Sequence, residues 1–349
     1  MRFLHSADWH LDSPFRGYTE AQTGWLKEQL LTVPRKIAAL CRDTGCQMLL
    51  LSGDVFDGPY TRQSLQALRN ALEEAAVPVF IAPGNHDHVG SLSPWTQEAF
   101  PGNVRIFTHP GIESMVVPQL ECRVYGAGYT GPHCPPLLGR FRAHCHERYA
   151  IGLFHGDPTA PTSPYCPVTR EQAADSGLDY LALGHIHKRG QFRAGSTLCA
   201  WPGCPMGRGF DETGIMGAYV VDLEEIAQAV FHPLDTPRFF SLEGDIQKGL
   251  LGLLPPVASR DFYRITLTGE AACPDLQAMA GEFSQFPNLE LKDGTHPPLD
   301  LWADAGSDTL EGIYFGLLRQ ALETQDRETV LLAAKLSRQL LMGQEVTLP

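Results

Sequence analysis

No apolar run in this chain approaches the roughly 18 residues that a membrane-spanning helix requires, and the sequence holds no low-complexity tract and no internal repeat. Among its nine cysteines none is arranged as C-x-x-C, the spacing a structural zinc site would use. An odd, scattered set in a chain of 349 residues reads as reduced, mostly buried thiols. Basic excess is also missing. The formal net charge is −13, with acid outweighing base on both sides of residue 237, so neither part has the footprint of a stand-alone duplex-binding domain. The first residues, Met1-Arg2-Phe3-Leu4-His5, lack the pattern of a secretory signal. A cytoplasmic location, with no membrane partner, is the expectation.

What is present is an ordinary globular composition, 43% hydrophobic and 19% charged, at a length that suits one large α/β domain and a smaller one. The organising stretch is Ala82-Pro83-Gly84-Asn85-His86-Asp87. It follows the apolar run 77–81, which reads as a short buried strand stopped at Pro-Gly. An amide, an imidazole and a carboxylate follow at once, held at a strand end.

Other strand ends carry similar groups. Residues 2–8 read as a strand ending in Asp8-Trp9-His10, whose first and third side chains face one side of an extended segment. Arg16, in the loop that follows, is a candidate phosphate contact. A helical pattern over 19–44, interrupted by Pro34, leads to the buried strand 48–51, which ends in Gly53-Asp54-Val55-Phe56-Asp57. A second helix over 62–76 leads back to the organising stretch. This strand–helix alternation predicts a parallel sheet with right-handed crossovers, in which ligands bind at the C-terminal strand ends.

Shorter strands are read at 104–107, 114–117 and 122–129. Further on, the strand at 149–154 ends in His155-Gly156-Asp157, and that at 180–183 in Gly184-His185-Ile186-His187. Segments 198–203, 218–222 and 229–234 read as antiparallel strands finishing one sheet, and Arg208 lies in a Gly-rich loop between two of them as another candidate phosphate contact. His144 and His146 read as a surface helix end. Beyond a boundary near residue 237, a strand–helix–strand pattern spans 262–292. Two helices follow the His296-Pro297-Pro298 linker. The first shows Asp308 and Glu311 as a cap pair and an apolar stripe at Leu310, Ile313, Tyr314, Leu317, Leu318, Ala321 and Leu322 that reads as core or as a partner surface.

Collected, the strand ends supply Asp8, His10, Asp54, Asn85, His155, His185 and His187. These are too many for one tetrahedral zinc. They suit two octahedral divalent ions sharing Asp54, and mixed N/O donors without thiolate favour Mn²⁺, with Fe²⁺ or Mg²⁺ as alternatives. Two such ions can clamp a phosphate and activate an attacking water. His86, beside Asn85, is then free to protonate the leaving oxygen, and Asp57 to orient it and keep it charged.

The ordered set Asp8-x-His10, Gly53-Asp54-x-x-Asp57, Gly84-Asn85-His86-Asp87, His155-Gly156-Asp157 and Gly184-His185-x-His187 resembles the five motifs of the calcineurin-like metallophosphoesterases. The resemblance implies a four-layer α/β sandwich, with one ion on Asp8, His10, Asp54 and His187 and the other on Asp54, Asn85, His155 and His185. Residues 2–17 and the loop WPGCPMGRGFDETG (201–214) are similar to bacterial DNA repair exonucleases of the SbcD and YhaO type. That similarity implies a nuclease domain over 1–237, a small α+β capping domain over 238–298 and C-terminal helices over 299–349 that bind an SMC-like coiled-coil ATPase. It also allows a homodimer. DNA hydrolysis is the expected activity. A small-molecule phosphodiesterase and a non-catalytic scaffold are the competing readings.

Overall fold

The computed structural model describes residues 1–144, 146–250, 252–255 and 260–343. The chain divides into two compact units, Met1–Ser241 with Arg260–Tyr263, and Leu242–Ser259 with Arg264–Pro349.

In the first unit, β1 (Arg2–Ser6) is followed by α1 (Glu20–Leu31) and α2 (Val33–Asp43), then β2 (Leu49–Leu51), α3 (Arg62–Ala75), β3 (Val79–Ile81), the short α4 (Pro94–Gln97) and β4 (Val104–Ile106). Next come β5 (Glu113–Val117), β6 (Cys122–Gly126), β7 (Tyr149–His155), α5 (Arg170–Asp175), β8 (Tyr180–Gly184), β9 (Gly190–Ala194), β10 (Thr197–Trp201), β11 (Gly217–Asp222) and β12 (Gln228–Pro233). The helices start where the sequence supplies caps. Thr19, Thr61 and Thr169 each accept the N–H of the residue three positions on, satisfying donors that the first helical turn leaves open.

The strands form two six-stranded sheets, β12-β11-β1-β2-β3-β4 and β5-β6-β7-β8-β10-β9. β1 to β4 run parallel, as do β6, β7, β8 and β10. Pleating divides each strand between two cores. Leu49 and Leu51 face the core shared with Leu26, Leu30, Ile37 and Leu68 of the first three helices. Met48 and Leu50 join Phe3, Phe80, Ile151, Leu153 and Tyr180 in the layer between the sheets. The outer face of the second sheet is covered by Ala173 of α5 and by Leu137, Leu138 and Phe141 of an irregular segment.

Two sequence expectations change here, and one strand appears that the sequence did not show. Segments 198–203, 218–222 and 229–234 do not complete one sheet: β10 pairs parallel with β8, whereas β11 and β12 lie beside β1 in the other sheet. β9, which pairs antiparallel with β10, has a polar face and offers no apolar run to read. His144 and His146 lie in irregular chain, not at a helix end.

The second unit carries most of a three-stranded sheet, β13 (Phe239–Asp245), β14 (Phe262–Thr268) and β15 (Leu289–Asp293), with α6 (Leu276–Gly281), α7 (Leu310–Ala321) and α8 (Arg327–Leu341). The N-cap of α7 is Thr309, whose side chain accepts the Gly312 N–H, in place of the expected Asp308. Phe315, Val330 and Ala334 are buried, and Arg338 lies 3.9 Å over the Phe315 ring. The stripe Leu310, Ile313, Tyr314 and Leu317 is exposed, Leu310 by 87% and Leu317 by 61%. Among the described residues no helix is long and apolar enough to cross a membrane.

Candidate metal centre

The seven candidate ligands and His86 lie at or just beyond the C-terminal ends of β1, β2, β3, β7 and β8. The backbone there is forced into unusual shapes. Asp8, His10, Asp54 and His185 have φ of 52°, 48°, 50° and 87°, a left-handed region that non-glycine residues rarely occupy and that concentrates at functional sites. Glycine is required beside them. A Cβ on Gly53 would fall 2.5 Å from His155 Nδ1, and one on Gly84 would collide with the Asp54 carboxylate. The packing of these strand ends is therefore possible only with hydrogen at these positions.

Hydrogen bonds fix several of the donors. The Asp8 carboxylate accepts the His185 N–H at 3.0 Å, and Asp54 Oδ1 accepts the His86 N–H at 2.9 Å. His155 Nδ1 lies 2.9 Å from the Ser52 carbonyl. A carbonyl only accepts, so Nδ1 carries the proton and Nε2 presents a lone pair. That lone pair points at two more acceptors, Asn85 Oδ1 at 2.9 Å and Asp54 Oδ2 at 3.3 Å. His185 Nδ1 lies 3.3 Å from the same Asn85 oxygen.

A second convergence lies beside the first. Asp8, His10 and His187 each offer an atom within 4.8 Å of the others, and His10 Nε2 is 3.1 Å from His187 Nε2. His187 Nδ1 donates to Glu212 Oε1 at 2.7 Å, which leaves its Nε2 as a lone pair. Buried acceptors facing one another without a donor are costly. A positive charge resolves both sets. At His155 a proton can supply that charge when no metal is bound: burial lowers its basicity, but Asp54 and Asp8 outweigh burial and push its pKa up to about 9, so Nε2 becomes a free lone pair only when a cation displaces its proton. The donor set thus fits two cations, with Asp54 within reach of both His10 and His155.

His86 also comes within 4.8 Å of His10 and Asp54, but it is held differently. Its Nδ1 is 2.7 Å from Asp57 Oδ1, and its side chain is 46% exposed. The hydrogen bond that Nδ1 donates to Asp57 raises its pKa, against partial burial. Burial opposes ionisation of Asp57, yet His10, with Nδ1 3.5 Å away, and the bond to His86 hold its carboxyl well below the usual range. Asp87 turns away from the cluster and accepts the N–H groups of Gly84 at 2.8 Å, Val55 at 2.7 Å and Phe56 at 3.2 Å, so it braces the loop.

Of the two arginines, Arg208 reaches the centre. It binds Glu212 Oε1 through Nη2 at 2.5 Å, and Nη1 lies 3.9 Å from Asp57 Oδ2. Arg16 is exposed and bonds to none of these residues. Glu212 carries no motif that marks it in the sequence. It is buried, orients His187 and takes two charged bonds from Arg208. Its one local signal is its place in a Gly-rich loop beside Arg208, because its partner His187 is remote in sequence.

This fold and donor set define a metallophosphoesterase. Residues 1–189 match the family described as calcineurin-like phosphoesterase, and the chain belongs to that family, whose members bind two divalent metals. It is 33% identical over 242 residues to the uncharacterized metallophosphoesterase YhaO of Bacillus subtilis, covering 63% of this chain and 57% of the relative. It is 24% identical over 257 residues to the SbcD component of the SbcCD nuclease of the same organism, covering 61% and 64% of the two chains. The chain thus spans about three fifths of the length of these relatives. A dimetal phosphatase from Danio rerio aligns with a TM-score of 0.44 at 14% identity, over 67% of this chain and 96% of that one.

Proposed function

We propose that the chain is a metal-dependent phosphodiesterase that hydrolyses DNA at or near its ends. One divalent ion would be held by Asp8, His10, Asp54 and His187, and the other by Asp54, Asn85, His155 and His185. The observation that carries this reading is the pair of convergent lone-pair clusters beside His86, an exposed imidazole tied by its Nδ1 to Asp57. Oxygen and imidazole donors without thiolate favour Mn²⁺, with Fe²⁺ or Mg²⁺ next. When bound, two such ions would neutralise the carboxylates, polarise the phosphate and lower the pKa of an attacking water.

The chain's own residues do the rest. Asp57 holds the His86 ring and keeps it charged, so that the Nε2 proton can pass to the leaving oxygen. Glu212 fixes His187 in the tautomer that leaves Nε2 free. Arg208, anchored on Glu212, is the better placed of the two arginines to meet a phosphate oxygen. DNA is favoured over a small ester by the similarity to a nuclease component.

We assign residues 238–298 to a capping domain and 299–349 to partner binding. The exposed apolar stripe of α7 suits a helical partner of the SMC-like ATPase kind, and a cytoplasmic setting goes with that role. Purified protein with Mn²⁺ should release nucleotides from linear DNA, and chelation or Asp54→Ala should abolish the release. Turnover of bis-p-nitrophenyl phosphate without cleavage of any DNA, with Mn²⁺ or Fe²⁺, would replace this reading with a small-molecule phosphodiesterase.

A further inference from the structure

Beside His86 the surface opens into a cleft of about 470 Å³ lined by Gly58, Pro59, Tyr60, His88, Leu92 and Pro94, with His86 itself on the wall. Its lining is chiefly apolar, unlike the metal centre next to it. Leu92 stands at the rim and is 86% exposed, as large an apolar exposure as any among the described residues of the first unit.

That exposure is built, not loose. The loop 88–93 is tied on both sides of Leu92. Val89 N–H donates to the Tyr129 carbonyl at 2.7 Å, and Thr96 Oγ1 to that of Gly90 at 2.6 Å. Gln97 Nε2 donates to the Ser91 carbonyl at 2.8 Å, and Trp95 Nε1 to that of Asp87 at 2.5 Å. Within the cleft Tyr60 is held by Glu98, its hydroxyl 3.1 Å from Oε1, and packs on Phe56 at 5.8 Å between ring centroids. A hydrogen-bonded loop that presents a leucine to water next to a proton donor is arranged to meet something apolar.

What it meets follows from His86. A general acid stands beside the leaving oxygen, so the cleft that contains His86 receives the group leaving with that oxygen. A sugar-phosphate alone has no use for tyrosine, leucine and two prolines, whereas a nucleobase offers a flat apolar face to them. Resting on the DNA reading above, we propose that this cleft is a subsite for the base of the leaving nucleotide, with Leu92 and Tyr60 as its specificity-determining contacts.

The test uses the full chain with Mn²⁺ and short single-stranded oligonucleotides containing one cleavable phosphodiester. One carries thymine on both sides of that linkage. Two others carry an abasic tetrahydrofuran residue on one side or the other, and the product ends identify which side leaves. The abasic residue on the leaving side should lower kcat/KM about tenfold, as expected for loss of one stacked base, and on the retained side should change it less than about threefold. Leu92→Ser should shrink the leaving-side discrimination toward unity; Leu92 is exposed, so the fold is not at risk. Cleavage with equal kcat/KM for all three oligonucleotides, or discrimination undiminished in Leu92→Ser, overturns the subsite while leaving the nuclease reading in place. No cleavage of any oligonucleotide, with bis-p-nitrophenyl phosphate still hydrolysed, overturns both.

Discussion

His86 Nδ1 and Asp57 Oδ1 stand 2.7 Å apart, so the most exposed imidazole of this centre is held by a carboxylate lying three residues beyond Asp54. Asp57 raises the pKa of His86. An acid must be protonated to act, so activity falls as pH rises through that pKa, and a raised value extends the active range upward. Asp57→Asn removes the charge and should move the alkaline limb of the kcat profile to lower pH. His86→Ala should lower kcat by about 10²- to 10⁴-fold with metal content unchanged. An alkaline limb that stays in place in Asp57→Asn contradicts this pairing.

Glu212 holds His187 by a 2.7 Å bond and is itself kept ionised, its pKa lowered by His187 and Arg208 in spite of burial. Glu212→Gln keeps the shape and loses the charge. Mn²⁺ affinity, measured by calorimetric titration, should weaken about 10- to 100-fold. Unchanged affinity would mean that the carboxylate serves the loop alone.

Bound metal should stabilise the first unit, since the buried Asp8 and Asp54 carry charge that only histidines offset in its absence. At a hundredfold excess over Kd one ion adds ~2.7 kcal/mol, which is a rise in Tm of roughly 5 °C or more at this size. Scanning calorimetry with Mn²⁺ against chelator checks it. Asp54→Ala should remove the shift.

Leu310 and Leu317 are exposed on α7. Leu317→Glu should change the stability of the isolated chain by less than about 0.5 kcal/mol and abolish co-purification of a coiled-coil ATPase. A large fall in stability would show the stripe to be core.

The strand ends are legible in the sequence because buried parallel strands read as unbroken apolar runs, such as Met48–Leu51, and because polar ligands follow them directly. β9 is not legible: Gly190–Ala194 alternates exposed and half-buried residues and has no apolar run. The sheet to which β10, β11 and β12 belong depends on pairing with β8 and β1, which no local pattern encodes. The α7 stripe has the same spacing whether it packs inward or awaits a partner. Glu212 is hidden for another reason, since its meaning lies in His187, 25 residues away along the chain.

A two-ion centre sharing Asp54 is tested most directly by crystals grown with Mn²⁺ and measured at the manganese absorption edge. Two anomalous peaks per chain are expected, one among Asp8, His10, Asp54 and His187 and the other among Asp54, Asn85, His155 and His185, with His86 bound to neither. A single peak, or a peak on His86, would contradict that centre.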